Sequence, residues 1–383
     1  SSKFFSIIKK YKAQFLLCFF LCSISAFFII NPAKYIATTI DGILLYGTKI
    51  LPSLLPFLFI TKLMSNFEFI FYVCSKFKWL TKFLFCTPAI SFYIFFMSII
   101  SGYPIGAKLT SEFYSQGLIT KKDAQKILSF SSTSGPLFVI GSVGVGFFSS
   151  AKIGFILFSS HIISSIINGV IFGHINLKQN NNKKLNVLNN FNSTKNQVAI
   201  KNTTRVTNIS SIESTKNLNK FDKFESNNSE NFKEKNQDDF NKITLQKLSL
   251  DDIMYNSIRS VLMVGGFIII FYVFIQIVLD YKLLYPLIKL LQVLGLSPLE
   301  AEGFCAGIFE ITKGISILSK SQNLRLSLTL SSFLISFSGI SILMQSASFL
   351  SKTDVNKKVF VIQKLLHGVI SLLITYLFCL FLF

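Results

Sequence analysis

Four uninterrupted apolar stretches, Phe15–Ile30, Ile153–Ile175, Met263–Leu279 and Val359–Phe383, set the limits on what this chain can fold into. Each approaches the roughly 20 residues that a helix needs to cross about 30 Å of hydrocarbon. The expected fold class is therefore all-α, a polytopic transmembrane helical bundle. Composition points the same way, because only 15% of residues are charged, against about 25% in soluble domains.

The formal net charge of +20 does not indicate a nucleic-acid partner. Nearly all the basic residues are Lys, over-used together with Asn, Ile and Phe as in an A/T-rich genome, and Lys crowds the ends of apolar segments as cytoplasmic-side anchors do. The cysteines, Cys18, Cys22, Cys74, Cys86, Cys305 and Cys379, show no CxxC spacing and read as small core residues. His161, His174 and His367 are too scattered to suggest a metal site, and each reads as a satisfied or interfacial histidine. With no Ser/His/Asp constellation and no Walker A loop in a suitable segment, no catalytic residue, cofactor or metal is expected.

Residues 1–35 read as an N-terminal transmembrane helix. Lys3–Lys12 before an apolar run resembles a signal peptide, but Phe27–Ile30 continue the apolar stretch, so an uncleaved helix with a cytoplasmic basic end is expected. A second span, Ile43–Met64, contains Pro52 and Pro56, each of which removes a backbone bond from a helix interior. The basic segment Lys76–Lys82 suits an interfacial turn or surface helix. Residues 178–252 turn to Asn, Ser, Lys and Glu and read as a disordered polar linker.

On either side of that linker, within repeats at 36–177 and 253–383, lie regions of interruption, about Thr87–Phe148 and Ser297–Leu350, where apolar runs are broken by Gly, Pro and Ser. The first half has Ser101-Gly102-Tyr103-Pro104-Ile105-Gly106-Ala107-Lys108 and Ser129–Pro136, with a helix start at Thr120 and Asp123 between them. The second has Gly307–Gly314 and Ser336–Ser341. Paired interruptions at corresponding places predict two related repeats, inverted with respect to each other, with broken helices or re-entrant hairpins around a midplane site.

Candidate binding residues follow from these breaks: Gly102, Tyr103, Pro104, Gly106, Lys108, Ser132, Thr133, Ser134, Gly135, Pro136, Glu310, Thr312, Lys313, Ser336 and Ser338. A helix restarting at Pro136 would point unpaired N–H groups, reinforced by the Ser and Thr hydroxyls, at an anion. The bland reading is that these hydroxyls bond carbonyls of the preceding turn in a kinked helix. Lys108 either snorkels to an interface, the preferred reading, or neutralises an anion. Glu310 and Lys313, at i and i+3, could pair on one helix face, and Glu310 could instead hold a coupling proton or ion. Ser341 and Gln345 could supply polar lining or join helices.

Leu51–Phe57, Ser101–Lys108, Ser134–Gly146 and Glu310–Gly314 together resemble the sporulation integral membrane proteins of the YlbJ type, which carry nucleoside-recognition Gate domains. The resemblance covers most of the chain outside the linker. It implies a role in spore maturation in an endospore-forming bacterium, in the mother-cell-derived outer forespore membrane, with dipicolinic acid as the solute. The partners expected are the lipid bilayer and a small anionic solute, with a coupling proton or cation and a homo-oligomer left open. A non-transporting scaffold for spore assembly and a nucleoside transporter are the competing readings.

Overall fold

Proline, glycine and serine decide where these helices widen, stop and restart. The computed structural model describes residues 22, 25–64, 67–175 and 249–382. Helix α1 (Pro32–Leu45) begins on Pro32, whose missing N–H costs nothing in a first turn. It widens into π1 (Tyr46–Ile50) and continues as α2 (Leu51–Met64), with a bend of 57° along the run. Pro52 and Pro56, neither able to donate to the preceding turn, are the local causes of the widening and the bend.

Next come α3 (Glu68–Lys76) and α4 (Lys78–Phe85), and α4 meets α5 (Ile90–Ser101) at 89°. Trp79 and Phe83 on α4 are 66% and 72% exposed, as suits the surface helix expected of the basic segment. After a break at Gly102–Pro104 the chain resumes as α6 (Ile105–Ser115). Helix α7 (Lys121–Ser131) starts at the Thr120 and Asp123 capping box read from the sequence. A second break precedes π2 (Leu137–Phe147) and the long α8 (Ala151–His174).

The second half begins with α9 (Leu250–Asp280), capped by Ser249 and Asp252, and α10 (Tyr285–Val293). Helices α11 (Pro298–Phe309) and α12 (Ile311–Leu318) are separated by Glu310, and α13 (Leu324–Phe337) and α14 (Gly339–Phe349) by Ser338. Helix α15 (Lys357–Leu382) closes the described chain. Two broken helical pairs followed by one long helix thus occur in each half. Among the described residues there is no strand, and four helical runs are long and apolar enough to cross a membrane, or six if each bent pair counts as one span.

The described residues up to His174 and from Ser249 onward belong to one compact unit. The expected first helix over Phe15–Ile30 reaches them only at its end, where 25–30 are helical. Its beginning, and with it the signal-peptide reading, lies outside the described residues. So does the linker, apart from its last residues at the start of α9. The last apolar stretch is helical from Val359 to Leu382 but not uninterrupted, because Gln363, Lys364 and His367 lie within it, all buried against the protein.

Candidate functional site

Gly102 has φ +73°, and a Cβ there would stand 2.7 Å from the backbone nitrogen of Gly135. A left-handed residue without a side chain is what lets the first break lie directly on the second. Gly106, one turn on, would place a Cβ 1.7 Å from the carbonyl oxygen of Ser131, so its role is the close approach of α6 to the end of α7. The hydroxyl of Tyr103 donates to the Ile335 carbonyl at 2.7 Å and lies beside Ser338. That bond ties the first break to the end of α13, just ahead of the fourth.

Between these breaks lies a cavity of about 70 Å³, room for several waters or one end of a small solute. Gly102, Tyr103, Ser134, Gly135, Glu310 and Thr312 line it, together with Gln345 of α14. Ile50, Leu54, Val264 and Ile268 supply an apolar wall from π1, α2 and α9. The amide nitrogen Nε2 of Gln345 is buried and has no hydrogen-bond partner within the protein, a donor that a polar occupant would satisfy.

Glu310 is buried and caps α12. Its Oε2 accepts from the Thr312 hydroxyl and, at 2.7 Å, from the Lys313 N–H. Glu310 and Lys313 form no ion pair: the Lys313 ammonium sits 4.2 Å from the centre of the Tyr272 ring. The spacing correctly put both residues in one turn, but an aromatic face from α9 takes the cation and the main chain takes the carboxylate.

Behind the second break is a buried cluster that the sequence did not single out. His161 of α8 accepts the Ser134 N–H on Nε2 at 2.8 Å and has Nδ1 2.7 Å from the Ser336 hydroxyl. His367 of α15 stacks on it at 4.9 Å and holds the His161 carbonyl through Nε2 at 3.1 Å. Lys364 donates to the Ser132 carbonyl at 2.7 Å, with His367 Nδ1 at 3.4 Å and the Tyr103 ring centre at 5.1 Å. Its amino group thus covers a carbonyl at the negative end of α7.

The remaining candidates support the breaks rather than line the cavity. Pro104 is the N-cap of α6, and Pro136 is the first helical residue after the second break. Lys108 pairs with Glu112 at 3.8 Å, partly exposed. Ser132 receives Lys364, Ser336 meets His161, and Ser338 turns the chain between α13 and α14. The N–H groups expected to be free at the second break are partly taken, since Thr133 donates to the Ser98 hydroxyl at 3.3 Å and Ser134 to His161. The signal for the missed residues was Lys364 and His367, one turn apart inside a stretch that otherwise reads as membrane-spanning.

Compared with known proteins, the chain is 28% identical over 359 residues to the sporulation integral membrane protein YlbJ of Bacillus subtilis (strain 168), covering 92% of this chain and 80% of that protein. The similarity supports the YlbJ family and an integral membrane protein. No protein-family model matches the chain. No solved structure matches it significantly either.

Proposed function

We propose that this chain is a solute carrier of sporulating cells, binding a small anionic solute in the cavity where its helix breaks meet. The observation that supports this reading is the convergence: residues from the first, second and third breaks and from α14 wall one buried space. Interrupted helices leave polar main chain inside a bilayer only where protein or a hydrated cavity receives it. Placing such interruptions in both halves around one space is the arrangement of carriers that work by rocking one half against the other, and in this reading the halves are inverted repeats.

The similarity to a sporulation membrane protein supports a role in spore maturation, and the outer forespore membrane is the proposed site. Dipicolinate is the proposed solute, a planar dianion for which Gln345 Nε2 supplies a donor. Uptake of labelled dipicolinate by proteoliposomes holding the purified chain tests the reading. Saturable uptake, reduced by Ser134→Ala combined with Gly135→Ala at unchanged protein level, is the expected result, and absence of uptake would point to a scaffold.

One observation favours a second reading. Among the described residues the cavity wall carries no cationic side chain and does carry Glu310, which suits the hydroxyls of a nucleoside-like solute. Competition decides between them: excess nucleoside should leave dipicolinate uptake intact, and the reverse pattern would select the nucleoside reading.

A further inference from the structure

Among the described residues two ionisable side chains wall the cavity, Tyr103 and Glu310, and neither is a cation. A carboxylate solute entering this space would face the Glu310 carboxylate across little or no water. Like charges so placed repel strongly, because the low dielectric of the interior does not screen them. The cation on the same turn as Glu310 is already shared, since Lys313 sits over Tyr272 and interacts with Asp41, Glu302 and Asp280 as well as with Glu310. Lys364 is committed to the Ser132 carbonyl on the far side of the second break.

We infer that each anionic solute crosses together with one proton carried on Glu310, an inference that rests on the carrier reading above. The hydrogen bonds to this side chain suit both of its forms. Thr312 hydroxyl and Lys313 N–H donate to Oε2, which accepts equally well as a carboxylate oxygen or as the carbonyl oxygen of the acid. With Oε2 held by these donors and the Thr312 N–H also bonded to the carboxyl group, the proton belongs on Oε1. There it converts an acceptor that repels a carboxylate into an O–H that donates to one.

With the solute gone, the Glu310 O–H loses the carboxylate it donates to, so the proton is returned to water on the side of release. The proton enters from water on the loading side, and no other group changes its protonation. The charged and titratable groups around Glu310 are Lys313 on its own helix, Tyr272 from α9 and Tyr103 from the first break, with Asp41, Glu302 and Asp280 reaching it through Lys313. An N-terminal cap is the purely structural role of this residue, and Glu310→Gln retains it, because the amide oxygen can accept the same two bonds.

The test uses the purified full chain in proteoliposomes at about pH 7.5, where the dicarboxylate is fully ionised, with the membrane potential clamped at zero. An inward proton gradient of one unit should sustain roughly tenfold accumulation of labelled dipicolinate at one proton per solute, since one pH unit is a factor of ten. In Glu310→Gln that accumulation should disappear, and such exchange of internal for external dipicolinate as remains should not respond to pH, as uncoupled binding predicts.

Accumulation that survives in Glu310→Gln overturns the inference, as does wild-type accumulation that follows a sodium gradient and ignores pH. Absence of uptake and exchange in the wild-type chain overturns the carrier reading and the inference together. A second measurement stands without any variant. Adding dipicolinate to the weakly buffered, detergent-solubilised wild-type protein should draw about one proton from solution per solute bound, by the linkage of protonation to binding, and binding without proton uptake refutes the coupling.

Discussion

Nε2 of His161 accepts the backbone N–H of Ser134 at 2.8 Å, and this one bond fixes the ring's tautomer. A main-chain N–H can only donate, so Nε2 holds a lone pair and the ring hydrogen sits on Nδ1, directed at Ser336. The neutral imidazole therefore joins the second break, in the first half, to the end of α13, in the second. His161→Ala strands a buried N–H, and the unmet bond should cost about 1–3 kcal/mol. The expected signs are a lower melting temperature in detergent and at least about tenfold faster hydrogen exchange at the Ser134 amide, as loss of about 1.4 kcal/mol of local protection would give. Unchanged exchange at that amide would show that the ring does not hold the break.

Tyr103 supplies the other link between halves, through its hydroxyl to the Ile335 carbonyl. Tyr103→Phe keeps the ring and removes one buried donor, so the carbonyl at the end of α13 loses its partner. Destabilisation of about 1–2 kcal/mol is expected, read as a fall in melting temperature. The double variant with His161→Ala should lose less or more than the sum, because the two bonds end one residue apart on α13 and share its position. Strict additivity would mean that the two links act independently.

Gly106→Ala should prevent accumulation of folded protein. The new methyl would lie 1.7 Å from the Ser131 carbonyl oxygen, backbone against side chain with nothing flexible to yield. Gly266→Ala in α9, where a Cβ meets nothing within 4 Å, is the matched control and should be neutral or stabilising by up to about 1 kcal/mol, the helix preference for alanine. Folded yield by size-exclusion chromatography separates the two, and equal yields would contradict the packing described for α6 and α7.

At the start of α7, Thr120→Ala removes the side chain that accepts the Asp123 N–H at 3.1 Å. Loss of such a cap costs about 1 kcal/mol, so a small drop in melting temperature is expected with no change at the distant cavity. Thr120→Ser, which can rebuild the cap, should restore the loss.

The breaks were legible because Gly, Pro and clustered Ser inside apolar runs have few local explanations other than an interrupted helix. Thr120 and Asp123 were legible for a similar reason, since a capping box is complete within four residues. What a helix break contacts was not legible. His161 and Ser336 are separated by 175 positions, and only the tertiary fold brings them within bonding distance. Lys313 left its predicted partner because Tyr272, from another helix, offered its ring face. The π-helical course of Tyr46–Ile50 and Leu137–Phe147 also escaped the pattern, because apolar periodicity does not distinguish a regular turn from a widened one.

The contact between Gly102 and Gly135 limits how this part of the molecule could ever open. Neither residue has a side chain to swing aside, so no change of rotamer can enlarge the passage between them. Widening there demands that whole helical segments, α5 with α6 or α7 with π2, shift as bodies, at the speed and cost of segmental rather than side-chain motion.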